Sequence, residues 1–155
     1  MRSDENFDIP NRLRQVLEKG VSLLNDREFE ELAGEFFEIM GYTVSLTPVT
    51  GDKGIDLYIR FGDSPTFSVA QCKHWQTPIG APTVREFYGA FVDSGATRGF
   101  LIATNGFTET AKAFAEGKPI VLARGESIPI SIMSIIARGE RYFLLRLKDP
   151  DKRHR

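Results

Sequence analysis

The spacing of apolar residues predicts two helices near the start of the chain. Within residues 10–25, apolar positions recur three or four residues apart, as they do on one face of a helix. From Asp26 onward, a second apolar stripe follows the same period: Phe29, Leu32, Ala33, Phe36, Phe37 and Met40. Gly41 stands where a helix commonly ends. We therefore expect one helix over residues 10–25 and another from Asp26 to about Met40.

The next part of the chain has the pattern of a sheet. Three segments are typical of strands: 42–49, 54–61 and 66–75. The short polar link "GDSP" between the last two is typical of a tight turn. Those two strands are therefore predicted to be antiparallel neighbours.

Helix and strand patterns then alternate. A helix is predicted to open at Pro82 and Thr83, where Thr83 and Glu86 have the spacing of a capping box. The segments that follow are typical of a strand, a helix and a strand, over residues 98–104, 108–117 and 118–124. This alternation requires partly parallel pairing, so we predict an α/β fold with a mixed central sheet and helices on both faces.

The last 30 residues have a less regular pattern. The segments "IPISIMSII" and "RYFLLRL", separated by "ARGE", predict a closing hairpin, with a short helix followed by a strand as the alternative. We interpret the chain as a single domain over residues 1–155. Its core spans about 26–124, between an N-terminal helix (1–25) and a C-terminal extension (125–155).

Composition narrows the class of protein. A chain of 155 residues, 41% apolar, is long enough for one domain with a real core. No apolar run approaches the roughly 20 residues that span a bilayer, and the polar, acidic start is unlike a signal peptide. One cysteine excludes an internal disulfide, and two histidines make a zinc site of Cys and His a poor hypothesis. We therefore expect no membrane association and a location in the reducing cytoplasm.

Charge is distributed unevenly, although the net charge is only −1. Residues 1–40 carry five Lys or Arg against ten Asp or Glu, which gives −5, whereas residues 138–155 carry seven against three, which gives +4. The basic end can meet phosphate groups, or it can be a solvated tail. Both interpretations remain open.

Three polar residues interrupt segments that otherwise have the pattern of a core. Asp56 lies in the second predicted strand, and Gln71 and Lys73 lie two apart on the third, so these two face the same way. In an antiparallel hairpin, Asp56 and the Gln71–Lys73 pair are about equally distant from the connecting turn. The register therefore allows the three side chains to meet.

A carboxylate, an amide oxygen and an ammonium group together suit phosphodiester hydrolysis. Mg²⁺ binds hard oxygen ligands, usually one or two carboxylates, and keeps several waters. A neighbouring lysine can orient or deprotonate the attacking water, or stabilise charge in the transition state. The alternative is structural: Asp56 caps the preceding turn, and Gln71 and Lys73 form the solvent face of a strand. Glu30, at the edge of the second helix's apolar stripe, can reach over the sheet or can simply be exposed.

Five segments, taken in order, resemble the catalytic domain of Mrr-type restriction endonucleases, within the PD-(D/E)xK nuclease superfamily. They are "FEELAGEFFEIMGYTV", "TGDKGIDLYI", "VAQCKHW", "PTVREFYGA" and "IATNGFTETAKAFA". The resemblance spans roughly Asp26 to Ala123 at compatible spacings, which is more specific than any one motif. It implies a restriction-endonuclease-like core and metal-dependent cleavage of DNA, in restriction or defence, with Mg²⁺ as cofactor and Mn²⁺ as a substitute.

The resemblance also assigns site residues. Asp56 matches the metal-binding acid, and Gln71 stands where most of the superfamily has Glu or Asp. Lys73 matches the catalytic lysine, and Glu30 matches the helix glutamate that supports the metal. The implied catalytic set is therefore Asp56, Gln71, Lys73 and Glu30, of which Asp56, Gln71 and Glu30 would bind the metal. Asp52 matches a further acid of the family, for which we expect a turn or supporting role.

The implied partner is DNA. Because cutting both strands of a duplex normally takes two active sites, a homodimer is favoured. The family usually carries a separate DNA-recognition domain, yet no such reader fits the residues that flank the match. A stand-alone nuclease, a subunit that borrows its reader and a piece of a longer protein therefore stay open. The functional alternatives are a structure-selective nuclease of the junction-resolvase type, an inactive DNA-binding or assembly module, and a plain α/β scaffold. The presence of all four site residues argues against loss of activity.

Overall fold

Five strands form one mixed sheet whose order follows the chain. The computed structural model describes residues 14–16, 18, 20–48 and 54–130. Its strands are β1 (Thr43–Leu46), β2 (Leu57–Arg60), β3 (Ser68–Lys73), β4 (Arg98–Ala103) and β5 (Ile120–Arg124). The β1–β2 and β2–β3 pairs are antiparallel, and the β3–β4 and β4–β5 pairs are parallel. The predicted mixed sheet and its hairpin are confirmed.

Helices cover both faces of this sheet, as predicted. They are α1 (Asp26–Ile39), α2 (Ala81–Ser94) and α3 (Glu109–Ala115). One face packs against α1 through a buried cluster that includes Phe29, Leu32, Phe37, Leu57, Ile59, Ala70 and Ile102. The opposite face packs against α2 and α3 through Val69, Val84, Phe87, Phe91, Leu101 and Ala111. Each large apolar side chain buried in this way contributes about 1.5–3 kcal/mol.

The start of α1 is fixed by a capping box. Glu28 donates its backbone N–H to the Asn25 side chain at 2.8 Å, and Asn25 donates its own N–H to the Glu28 carboxylate at 3.0 Å. This exchange satisfies two backbone donors that a helix start leaves unpaired. The fully buried Phe29 follows within one turn. Cap and core packing therefore set the helix register that also positions Glu30.

Two predicted helix starts or ends are wrong in detail. The helix expected over 10–25 does not run through to residue 25: residues 14–16 and 18 are helical, but Gly20 has a φ of 82°, and a separate 3₁₀ helix spans Val21–Leu23. The capping box predicted at Thr83 is also absent, because α2 begins at Ala81 with Gly80 as its cap residue. Proline is well tolerated in a first helical turn, since its missing N–H would have no partner there. Thr83 is therefore already inside the helix.

The C-terminal prediction falls mostly outside the described residues. Residues 128–130 are helical, following a 3₁₀ helix at Gly125–Ser127, so the first strand of the expected hairpin does not begin there. The remainder of that hairpin, residues 131–147, lies beyond the part of the chain that the structure describes. Within the described part, no helix has the length and apolar character needed to cross a membrane.

Candidate active site

Asp56 lies just before β2, where its side chain ends the ladder between β2 and β3. Its backbone N–H donates to the carbonyl of Ala70 at 2.8 Å, as a strand residue would. The next hydrogen bond along β3 goes to a side chain instead of to the backbone: the N–H of Cys72 donates to Asp56 Oδ2 at 2.7 Å. The carboxylate thus takes the place of a backbone acceptor. This arrangement fixes its position beside β3.

The side chains around Asp56 do not alternate as in a regular strand. Such a strand would place Ile55 on the same face as Leu57 and Ile59, but Ile55 belongs to the cluster beneath α2, whereas the other two face α1. The reason is that the regular strand begins only at Leu57. Residues 55 and 56 are instead held by Thr47, which is 7% exposed. Its Oγ1 donates to the carbonyl of Ile55 at 2.9 Å, and its N–H donates to the carbonyl of Asp56 at 2.9 Å.

Glu30 reaches the same place from α1. Its side chain is 18% exposed and lies close enough to Asp56 that each carboxyl group shifts the pKa of the other. Arg27, one turn earlier, donates from Nη1 to Glu30 Oε2 at 3.1 Å and to the carbonyl of Thr47 at 2.7 Å. One guanidinium therefore joins α1 to the segment that holds Asp56. The structure brings the two predicted carboxylates together.

Burial raises the pKa of both carboxyl groups. For Glu30, removal from water is the largest cause, followed by the charge of Asp56, while Arg27 acts in the opposite direction. For Asp56, burial again dominates, and the Cys72 N–H and the Lys73 charge lower its pKa less than burial raises it. Two adjacent acids in a partly dehydrated place resist double ionisation. The pair therefore favours either a retained proton or a bound cation.

Lys73 and Gln71 lie on the side of β3 that faces α2. The ammonium group of Lys73 acts on Asp56 through its charge, and its Nζ lies 4.9 Å from the centre of the Trp75 ring. The Gln71 amide lies beside Gly54, where an added Cβ would come within 3.3 Å of Nε2. Gly54 has a φ of 84°, so it supplies both the turn and the room for Gln71. No hydrogen bond joins Gln71 to Asp56 in the described structure.

Cys72 and His74, which flank Lys73 in the chain, make contacts that stabilise the fold. Burial raises the pKa of the Cys72 thiol well above its ordinary value, with smaller contributions from the nearby carboxylates, so this cysteine stays protonated. His74 donates from Nε2 to the carbonyl of Val21 at 3.1 Å and packs against the Phe29 ring with centroids 5.4 Å apart. Its ring therefore attaches the 3₁₀ helix to α1.

Sequence reasoning did not find Arg27 or Thr47. Arg27 stands three residues before Glu30, a spacing that places two side chains on neighbouring turns of a helix, so its pairing could have been expected. Thr47 carries no such signal, because its partners become neighbours only when β1 pairs with β2. Asp52 lies outside the described residues.

The carboxylate pair fits a hard divalent cation. Over residues 14–16, 18, 20–48 and 54–130, no group of three or more His, Cys, Asp or Glu side chains forms a metal site. The site instead offers two carboxylates, and Mg²⁺ commonly binds through one or two together with water and phosphate. A cation would relieve the repulsion between the two carboxylates, so these oxygen ligands suit Mg²⁺. They do not form a zinc site of Cys and His.

The fold and the site define a class of protein: a mixed α/β domain of the restriction-endonuclease type, with paired acids and a lysine at its antiparallel hairpin. Residues 21–129 match the sequence model of the family Mrr_cat, described as restriction endonuclease, and the chain belongs to that family. The predicted family and fold are therefore confirmed.

Two curated relatives match part of the chain. Over 81 residues it is 41% identical to "Type IV methyl-directed restriction enzyme EcoKMrr" of Escherichia coli (strain K12), which covers 51% of this chain and 27% of that protein. Over 112 residues it is 29% identical to "Uncharacterized protein y4cE" of Sinorhizobium fredii (strain NBRC 101917 / NGR234), covering 67% and 28%. The chain thus spans little more than a quarter of the length of these relatives.

Two solved structures share the fold. The MspJI restriction endonuclease in complex with a 27-mer oligonucleotide superposes with a TM-score of 0.54 at 20% identity, over 86% of this chain and 33% of that one. The DNA modification-dependent restriction endonuclease AspBHI superposes with a TM-score of 0.51 at 17% identity, over 81% and 37%. At these identities the likeness concerns the fold alone.

Proposed function

We propose that this chain is the catalytic domain of a metal-dependent endodeoxyribonuclease that hydrolyses DNA phosphodiester bonds, in restriction or defence. The observation that carries the proposal is the close pair of carboxyl groups of Glu30 and Asp56, with the Lys73 ammonium close enough to act on Asp56. Membership of a restriction endonuclease family supports it. A scaffold or binding module has no need for two half-buried acids that repel one another.

Each residue has a proposed role. Asp56 and Glu30 would hold Mg²⁺, or Mn²⁺ in its place, and Gln71 would supply a neutral oxygen. When bound, the ion supplies Lewis-acid polarisation of the phosphodiester. Lys73 stabilises negative charge that develops on the phosphate, or orients the attacking water. Arg27 and Thr47 position the two acids without touching the substrate.

Partners and organisation follow from the same proposal. Duplex DNA is the substrate class, and a homodimer would place one active site on each strand. A separate recognition domain or subunit would supply sequence or modification readout. We propose that residues 1–155 form one domain with its core at about 26–124. A single cysteine is compatible with a location in a reducing cytoplasm.

The direct test is cleavage of supercoiled plasmid by the full chain with Mg²⁺, with Mn²⁺ and with EDTA. Because EcoKMrr is named methyl-directed, methylated and unmethylated plasmids should be compared. A four-way DNA junction is included as the substrate that a structure-selective nuclease would prefer. We expect cleavage with either ion and none with EDTA, and its loss in Asp56→Asn, which keeps an acceptor for the Cys72 N–H. Equal cleavage by Asp56→Asn would overturn the proposal.

A further inference from the structure

A pocket of about 380 Å³ lies next to the proposed active site. One wall is formed by Val21 and Ser22 of the 3₁₀ helix. The rest comes from the residues that follow three adjacent parallel strands: His74, Trp75 and Gln76 after β3, Thr104 and Asn105 after β4, and Glu126 after β5. Ligands of α/β proteins commonly bind outside the carboxyl ends of such strands. The volume is at the small end of the range for small-molecule sites, about 300–1,000 Å³. It suits one compact group rather than a cofactor.

Trp75 gives this pocket an exposed aromatic surface, and hydrogen bonds hold its backbone. Its side chain is 43% exposed, although large aromatic residues are normally covered. Its backbone carbonyl accepts a hydrogen bond from Thr104 Oγ1 at 2.8 Å and another from Asn105 Nδ2. The Lys73 Nζ lies 4.9 Å from its ring centre. An exposed indole beside a lysine proposed to act on phosphate is a typical stacking surface for a nucleobase.

Glu126 supplies an acceptor that lacks a donor. Its Oε1 accepts from Arg124 Nε at 2.5 Å, while its Oε2 is covered and finds no hydrogen-bond partner in the described part of the chain. The terminal torsion of a glutamate is broad, and rotation about it would be needed to turn Oε2 towards the pocket. Carboxylates accept hydrogen bonds from the amino groups of bases. Thymine has no such amino group.

We propose that this pocket takes a single unpaired nucleobase with an exocyclic amino group, stacked on Trp75 and hydrogen-bonded to Glu126. The base must be unpaired, because inside a duplex its faces are covered by its neighbours. It belongs to the strand whose phosphate lies at Lys73. The proposal rests on the proposed function for the identification of the polymer as DNA and for the phosphate at Lys73, and it adds a preference for strands that can present such a base.

Fluorescence can test this directly, because Trp75 is the one tryptophan of the chain. Short oligonucleotides of deoxycytidine, deoxyadenosine or thymidine are titrated into the full chain in EDTA, with selective excitation of tryptophan. We expect saturable quenching by the first two, with about tenfold tighter binding than for oligothymidine, the factor typical of one hydrogen bond to a charged group. Deoxycytidine monophosphate alone should bind more weakly than the oligonucleotide, since it lacks the neighbouring phosphates.

The control variants separate recognition from general electrostatics. Glu126→Gln should reduce the tenfold preference to less than about threefold, because a neutral amide accepts more weakly than a carboxylate. Glu109→Gln removes the same charge from an exposed place on α3 and should leave the preference intact. Thermal unfolding of both variants establishes that they are folded.

Two results would overturn the base subsite: equal quenching by all oligonucleotides, or a preference that survives Glu126→Gln. A mononucleotide that binds as tightly as the oligonucleotide would overturn the placement of the neighbouring phosphate at Lys73. None of these depends on cleavage, which EDTA suppresses. A failed plasmid assay with the preference intact would overturn the nuclease function and leave the base subsite standing. Cleavage without a preference among the oligonucleotides would support the nuclease function and overturn the base subsite.

Discussion

At the scale of single residues, the central feature is a pair of acids held closer than their charges favour. Asp56 is fixed by the Cys72 N–H and Glu30 by Arg27, so neither can move away from the other without losing a hydrogen bond. Burial adds to the effect and raises the pKa of both groups. A site of this kind gives up stability when empty and recovers it when a cation binds. Strain of this sort is typical of functional residues.

The raised pKa values make a prediction about Glu30→Gln. Between the ordinary carboxyl pKa and the raised folded pKa, the folded protein holds more protons than the unfolded chain, so the free energy of unfolding falls as pH rises through that window. A glutamine can still accept from Arg27 and donate to Asp56 while removing one charge. In EDTA at pH 7 the variant should therefore melt at a higher temperature than the parent, by about 2–4 °C for each kcal/mol relieved.

The control for this comparison is pH. The difference in melting temperature should shrink as the pH is lowered through the raised pKa values, because the acids of the parent then take up protons. A variant that is less stable at neutral pH, or a difference that does not depend on pH, would contradict the interpretation.

Lys73 allows a test that separates catalysis from docking. Lys73→Met keeps most of the aliphatic stem and removes the charge, so plasmid cleavage should fall by at least about a hundredfold. DNA binding in EDTA should change much less, because the variant loses one phosphate contact among several. Lys112→Met, an exposed lysine on α3, is the matched control and should leave cleavage unchanged. Binding that falls in step with cleavage would make Lys73 a docking residue.

Gln71 makes a separate prediction about the metal. An amide oxygen coordinates without adding negative charge, so Gln71→Glu should tighten Mg²⁺ binding, with activity retained or raised. Calorimetry in the absence of DNA measures this affinity. Unchanged or weaker binding would mean that Gln71 lies outside the coordination sphere and that its place beside Gly54 has another purpose.

At the scale of elements, α1 and the β1–β2 connection act together through Arg27. Removing the Arg27 guanidinium would remove the hydrogen bond to the Glu30 carboxylate and the hydrogen bond to the Thr47 carbonyl. Partners that orient metal ligands typically affect metal affinity or activity by about 10–100-fold. Arg27→Met should therefore reduce cleavage by at least about tenfold at low Mg²⁺ and recover part of it at high Mg²⁺.

The matched control for Arg27 is Arg98→Met, an exposed arginine at the far end of β4. It removes the same charge at a distance from the site and should leave the Mg²⁺ dependence unchanged. If high Mg²⁺ restores nothing to Arg27→Met, its role is catalytic or structural rather than positioning.

The elements themselves could largely be predicted from the sequence, because their signals are local. The apolar stripe from Phe29 to Phe37 and the turn before Thr66 are sufficient to locate α1 and the hairpin. Helix and strand ends were predicted less well where backbone geometry decided them, as at Gly20 and at Gly80 before α2. Helix and strand propensities are averages over many contexts, so they do not locate the end of an element at such positions.

The site could be predicted only in part, because its contacts are distant in the chain. The resemblance selected Glu30, Asp56, Gln71 and Lys73, and the geometry joins the first two directly. The link from Arg27 to Thr47 spans 20 residues and depends on β1 pairing with β2. The exposed Trp75 is not among the residues that the resemblance assigns to the site. Its importance depends on Thr104 and Asn105, which approach it only when β4 lies beside β3.

At the scale of the whole molecule, the proposed metal site would connect cation binding to folding. Glu30 comes from α1 and Asp56 from the start of β2, so the site exists only when the helix has packed on the sheet. A ligand that binds the folded state alone stabilises it by about 2.7 kcal/mol at a hundredfold excess over its Kd. For a domain of this size, that raises the melting temperature by about 5–10 °C. We expect this shift with Mg²⁺ at pH 7, measured by circular dichroism without DNA, and its loss in Asp56→Asn. Glu109→Gln should keep the full shift. If Asp56→Asn keeps it as well, the ion binds elsewhere and the paired acids are not its site.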